Sequence, residues 1–159
     1  PDIAVIDSPY DDKAWVAMPA LTPDVALIHA TRADSRGVCQ IASPDHYMDD
    51  WFARASKHTI VSCDELVEST YFQDPAVARQ VFWERNNTQA VVHMPGGAHP
   101  SSSDPLYGFD VAQFKAYGQL VAEEGYSAWA EKFLGATEAD YQTAVGGLDA
   151  ISALPLPAY

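Results

Sequence analysis

The chain has 159 residues, 48% of them hydrophobic and 19% charged, which is enough for one folded domain with a real core and is not the composition of a disordered segment. Its net charge of −13 argues against nucleic acid, whose phosphates must be met by Lys and Arg, and its nine basic residues form no run. No apolar stretch approaches the ~20 residues of a membrane span and no basic-then-apolar signal opens the chain, so no membrane partner and a cytoplasmic location are expected.

The chain opens on Pro1 with no starting Met, as a fragment or nicked subunit would, and as a processed natural domain would too. A short apolar run over 2–6 leads into a polar turn, DSPYDDK, over 7–13, and residues 15–21 read as extended. Residues 25–30, VALIHA, read as a buried strand. Residues 33–37, ADSRG, form a turn signal, with a short returning strand over 38–41. Ser43, Pro44 and Asp45 then look like a helix start, Ser as cap and Pro at the first helical position. Tyr47, Met48, Trp51, Phe52 and Ala55 would face inward, Asp50 and Arg54 would pair one turn apart, and the helix would end near His58.

Residues 59–63, TIVSC, make the next strand, so strand, helix and strand follow within about 40 residues, the pattern of a βαβ unit and a parallel sheet. A second helix is expected from Asp74-Pro75 to about Trp83, a loop over 85–88 and a buried strand over 90–94. Three short helices should follow. Asp110 caps the first, with Val111, Phe114 and Val121 inward and Gly125 as its stop. Ser127 caps the second, with Trp129 and Phe133 inward and Gly135 as its stop, and Thr137 with Asp140 opens the third. The tail SALPLPAY reads as extended. Residues 1–159 are taken as one domain: an α/β fold with an open, mostly parallel sheet, flanking helices and a helical C-terminal end. Cys39 and Cys63 lack C-x-x-C spacing and are expected to be reduced and buried.

Two strand-end loops carry the candidate chemistry. In residues 29–37, HATRADSRG, Arg32 suits recognition of a carboxylate or phosphate and Asp34 accompanies it; the plainer alternative pairs them with each other or with the turn backbone. In residues 96–103, GGAHPSSS, Gly96 and Gly97 would let a ligand approach the backbone, with His99 as a proton donor and Ser101 beside it; the plainer alternative is a tight turn with a structural histidine. No G-x-S-x-G elbow accompanies the serines and no G-x-G-x-x-G loop is present. His29, His93 and His99 with Asp34 match no metal-site spacing, and His93 within AVVHM reads as a satisfied core histidine.

The segments PALTPDVALIHATRADSRG, PDHYMDDWFARASKHTIVSCDELV and VVHMPGGAHPSSSDPLYGFD, in this order, resemble the C-terminal half of the A-type subunits of class I CoA-transferases, of the glutaconate CoA-transferase kind. Residues 19–110 carry the resemblance closely and the terminal helices loosely. It implies a partial CoA-transferase-like domain, the C-terminal part of an A-type subunit. It further implies partnership with a CoA-transferase B subunit, in a heterotetramer, and transfer of CoA between an acyl-CoA and a carboxylic acid, with CoA as substrate and no other cofactor. In that chemistry a glutamate attacks the acyl-CoA carbonyl, giving an anhydride and then a glutamyl-CoA thioester. The resemblance places that glutamate on the B subunit, so no catalytic residue is expected here, and Glu65, Glu68 and Glu84 are expected at the surface; the histidine spacing gives no metal site to expect either. Arg32, Asp34, Gly96, Gly97, His99 and Ser101 are the candidate substrate-binding residues. A related branch, a hydrolase opening a ring of a steroid-derived CoA thioester, is the alternative, as is a binding module of the same fold without activity. Val38 stands where the family pattern leads one to expect Asn, and Ser103-Asp104-Pro105 where it leads one to expect Cys-Tyr-Pro; both departures bear on the substrate.

Overall fold

The computed structural model describes residues 2–158; the opening on Pro1 and the last residue of the tail, Tyr159, lie outside them. Strands β1 (Ala4–Asp7) and β2 (Ala14–Ala17) pair antiparallel across the polar turn and form a two-stranded sheet of their own. Every residue of this hairpin's strands except Ala17 is exposed.

The main sheet has the order β4-β3-β5-β6. Strands β3 (Val25–Ala33), β5 (His58–Leu66) and β6 (Ala90–His93) run parallel, and β4 (Cys39–Gln40) folds back antiparallel on β3. This is the open, mostly parallel sheet the sequence predicts. β3 and β5 each continue past their predicted apolar ends, because Arg32 pairs with Glu65 and Ala33 with Leu66 in the ladder. A neighbouring strand supplies the hydrogen bonds that composition alone does not announce.

The first helix differs from expectation. α1 spans Asp49–Ala55, and Ser43 does not cap it. The Asp45 carboxylate instead accepts the Tyr47 N–H at 2.7 Å, and Tyr47 sits at φ 51, a left-handed conformation that interrupts a helix. The inward residues are Asp50 and Ala53; Tyr47, Met48, Trp51, Phe52 and Ala55 face outward, Trp51 with 68% of its surface exposed. The Asp50–Arg54 pair forms at 2.6 Å, and Arg54 also donates to the Phe82 carbonyl, so this pair staples α1 to the segment before β6.

The second predicted helix shrinks to one turn, α2 (Pro75–Ala78), capped by Asp74. Trp83, expected at its end, is buried in the core with its indole N–H donated to Thr88 Oγ1 at 3.0 Å. α3 (Val111–Glu124) starts on the Asp110 cap and stops at Gly125 as expected, but no residue of it is buried, and Val111 and Phe114 are exposed. α4 (Tyr126–Trp129) runs into a π-helical turn, Ala130–Leu134, that buries Phe133 and ends at Gly135; Gly125 precedes it, and Ser127 lies inside it rather than capping it. α5 (Glu138–Ala144) carries the predicted Thr137/Asp140 capping box. α6 (Gly147–Ser152), which no local signal announces, buries Ile151, and residues 155–158 have no regular structure.

The core gathers Ala26, Ile28, Ala30, Val61 and Cys63 from one sheet face against Ala53, Ile41 and Trp83. The opposite face is uncovered at the N-terminal ends of its strands, while at their C-terminal ends Thr31 and Asp64 are buried against the loop that follows β6. Alternation puts Val25, Leu27 and Ile60 on the uncovered part, and Leu27 is 78% exposed. Parallel sheets are ordinarily buried on both faces. The sequence encodes two apolar faces, and the described residues cover one and part of the other. β6, read as buried, is therefore largely exposed at the sheet edge, and His93 is an exposed histidine bonded to the Asp64 carbonyl at 3.2 Å, not a core residue. No helix among the described residues is long and apolar enough to cross a membrane.

Cys39 and Cys63 are free and buried. Burial pushes the Cys39 thiol up to about 12 and raises that of Cys63 as well, so neither is a ready thiolate at neutral pH. Titration of denatured, unreduced protein should find two thiols per chain, while the native protein reacts slowly; finding none after denaturation would overturn this.

Candidate functional site

At the C-terminal ends of β3 and β5 a buried carboxylate organises the loops. Asp64 accepts the Gly96 N–H at 2.8 Å and the Tyr107 hydroxyl at 3.0 Å on Oδ1, and the His29 Nε2–H at 2.8 Å on Oδ2. Burial pushes the Asp64 carboxyl up, but the hydrogen bonds from His29 and its neighbours outweigh it and hold the group below its ordinary range. Tyr107 in turn accepts the Ala98 N–H at 3.0 Å, and its phenol is raised by burial and by the nearby Asp64 charge. With Nε2–H given to Asp64, His29 Nδ1 accepts the Ser62 hydroxyl at 2.9 Å. The order Ser62–His29–Asp64 has the connectivity of a nucleophilic triad. Ser62 lies in the middle of the central strand, however, and the backbone around it is paired to β3 and β6, leaving no donors for an oxyanion. The group braces the sheet end. Gly97 completes it: a Cβ there would stand 2.8 Å from both the His29 ring and the Met94 carbonyl, so only glycine lets the loop rest on the ring.

Beside this brace lies an open cleft of about 550 Å³ between β3, the segment leading into α1 and the loop at 98–104. His29 and Thr31 form its floor, on the same face of the sheet as the exposed Leu27. Ser101, Ser102, Ser103 and Asp104 form one wall, so the loop that departs from the family pattern does line the cleft.

The candidate residues fall in different places. Ser101 reaches the cleft. Asp34 is buried and serves its own turn, accepting the N–H groups of Arg36 and Val38 at 2.9 Å each and the Ser69 hydroxyl. Burial raises its carboxyl and these donors more than offset that, holding it low. Arg32 points to the sheet face opposite Thr31, donates to Glu65 and Gln40 and lies 5.6 Å from the Tyr71 ring centre. Gly96 and Gly97 spend their N–H groups on Asp64 and the Met94 carbonyl. His99 is buried with both ring nitrogens engaged, Nδ1 with the Tyr141 hydroxyl at 2.7 Å and Nε2 with Asp110 at 3.2 Å, and it lines a separate hollow near α5. The structure thus brings Ser101 to the cleft with His29 and Thr31, and does not bring Arg32 and His99 together. Glu68 and Glu84 are exposed, and Glu65 is half-buried beside Arg32. Among the described residues no group of three or more His, Cys, Asp or Glu is placed to hold a metal ion.

Sequence reasoning passed over Asp64 and Tyr107. An acid directly after the apolar TIVSC run was the available signal for Asp64; nothing local marks Tyr107 as its partner, 43 residues away.

The chain has a CoA-transferase-like fold, in which a mostly parallel sheet carries strand-end loops braced by one carboxylate beside an open cleft. It superimposes on the crystal structure of glutaconate coenzyme A-transferase from Acidaminococcus fermentans with a TM-score of 0.85 and 27% identity, covering 97% of this chain and 49% of that one. Residues 8–79, rather less than half of the chain, match the family model for Coenzyme A transferase. The chain is 30% identical over 150 residues to the cholesterol ring-cleaving hydrolase IpdA subunit of Mycobacterium tuberculosis, covering 91% of this chain and 51% of that protein. It is also 30% identical over 131 residues to the A-type subunit of glutaconate CoA-transferase of Acidaminococcus fermentans, covering 81% and 40%. The chain spans about half the length of the first of these relatives and less of the second.

Proposed function

We propose that this chain is part of the A-type subunit of a cytoplasmic CoA-transferase, which works with a B subunit in a heterotetramer and moves CoA between an acyl-CoA and a carboxylic acid. In this reading the B subunit supplies the glutamate that attacks the thioester carbonyl, and the present chain supplies a wall of the acyl site. The observation that supports it is that no glutamate among the described residues lines the cleft, while the fold matches a transferase of this type over 97% of the chain. The uncovered apolar sheet face beside the cleft gives partnering a physical drive.

A chain without the nucleophile should show no CoA exchange alone. Mixed with its B-type partner and acyl-CoA, it should leave a CoA thioester on a glutamate of the partner, read by intact-protein mass spectrometry. A thioester on this chain, or robust exchange by this chain alone, would overturn the proposal. The similarity to a ring-cleaving hydrolase over 91% of the chain favours a second reading, hydrolytic ring opening of a steroid-derived CoA thioester. Product analysis separates the two: exchange moves CoA to a new acid, whereas ring opening adds water and leaves CoA in place.

A further inference from the structure

The cleft's lining specifies what kind of acyl group it accepts. Three carboxylates face it, Asp45 and Asp49 from the segment entering α1 and Asp104 from the opposite loop. No Lys or Arg lines it, and none of the three is in a salt bridge with Lys or Arg among the described residues. Arg32, the cation the sequence offered nearby, is turned to the other sheet face and paired with Glu65. Burial raises the Asp49 carboxyl, the neighbouring Asp50 charge adds to this, and His46 offsets it only in part. Beside the carboxylates lie the hydroxyls of Ser43 and Ser101, which can both donate and accept, and the apolar side chains of Ile41 and Phe109; the Thr31 hydroxyl is already used, accepting the Ala42 N–H and donating to the Asp104 carbonyl.

We propose that this cleft admits an uncharged acyl chain bearing hydroxyl or keto groups and rejects acyl groups that end in a second carboxylate. The inference rests on the acyl-CoA reading above and adds to it the substrate class. An incoming carboxylate would meet three like charges in a cleft where no Lys or Arg among the described residues receives it, and such juxtapositions are unfavourable. A hydroxyl in the same place hydrogen-bonds to the carboxylates and serine hydroxyls instead. Specificity of this sort comes from the repulsive element as much as from the attractive one.

Two acyl-CoA probes of equal length isolate the effect: 5-hydroxyvaleryl-CoA and glutaryl-CoA differ only in a terminal hydroxymethyl against a carboxylate. Binding of each to the complex of this chain with its B-type partner, measured by calorimetry, should favour the hydroxyacyl probe by at least about tenfold. The Asp45→Asn and Asp104→Asn variants should narrow the gap by improving glutaryl-CoA binding, because Asn keeps a side-chain oxygen for the Tyr47 N–H while removing charge. Equal or tighter binding of glutaryl-CoA overturns the inference and leaves the acyl-CoA reading intact. An unchanged ratio in both variants, in complexes of unaltered melting temperature, also overturns it. Binding of neither probe overturns the acyl-CoA reading itself, and this inference with it.

Discussion

The Asp64→Ala variant should lose about 3–5 kcal/mol of stability, a large share of what a domain of this size has. One carboxylate, 5% exposed, takes the Gly96 amide, the Tyr107 hydroxyl and the His29 ring. Removing it leaves three donors without an acceptor, and each such orphan costs about 1–3 kcal/mol if nothing relaxes. Tyr107 is itself buried and the loop backbone is pinned to it, so relaxation is limited. The effect has a pH signature. The Asp64 carboxyl is held below its unfolded value, so its contribution is fully present above an unfolded pKa of about 3.9 and is lost as pH falls through the lower folded value. The melting temperature of the natural protein should drop on acidification below about pH 4, and that of Asp64→Ala should drop less. A variant melting within about 2 °C of the natural protein at pH 7 would show that the brace is dispensable.

Gly108→Ala should unseat the C-terminal segment. A Cβ at Gly108 would fall 1.8 Å from the Pro155 carbonyl oxygen and 2.6 Å from its carbon. Both are backbone atoms, so no side chain can swing aside and the tail must move. Overpacking of this kind costs about 1–3 kcal/mol or more. It should also weaken the hydrogen bond from the Gly108 N–H to the Leu154 carbonyl and the seating of the buried Ile151 just before it. Faster carboxypeptidase trimming together with a lowered melting temperature is the expected readout. Gly118→Ala is the control: nothing lies within 4 Å of a Cβ there, the residue is inside α3, and alanine should stabilise that helix by about 0.5–1 kcal/mol. Equal behaviour of the two variants would mean the tail is not packed as described.

Several structural choices that depend on a few neighbouring residues were legible in the sequence. The Asp110 cap, the Thr137/Asp140 capping box and the stops at Gly125 and Gly135 are satisfied by atoms three or four residues away, or by a positive φ that glycine adopts freely. The turn after β3 belongs with them, since Asp34 bonds to N–H groups two and four residues on. The start of α1 departs from expectation for the same kind of reason: Ser43-Pro44-Asp45 satisfies a local helix template, and the Asp45–Tyr47 turn is an equally local competitor that propensity does not rank.

Which faces are buried lay beyond the sequence. Val111, Phe114, Trp51 and Leu27 sit on apolar stripes of the right period, and periodicity states that such a stripe is to be covered without stating by what. Of the candidate site, the sequence pointed to the loop at 96–103, which includes the cleft-lining Ser101, because loops at strand ends are recognisable from apolar runs that stop; the turn at 32–37, expected to share that pocket, does not line it. The sequence did not reveal that Arg32 would turn to the far side of β3. One residue of register along a strand reverses a side chain, and the ladder with β5 sets that register. Nor did it pick out Asp64, whose partners lie 35 and 43 residues away and converge only when β3, β5 and the final loop pack together. From its residues alone this chain determines its strands, caps, turns and overall acidity, which are short-range or additive properties. Tertiary structure decides the brace, the cleft and the charge inside it, because those depend on groups distant in sequence being brought together by the packing of β3, β5 and the loop after β6.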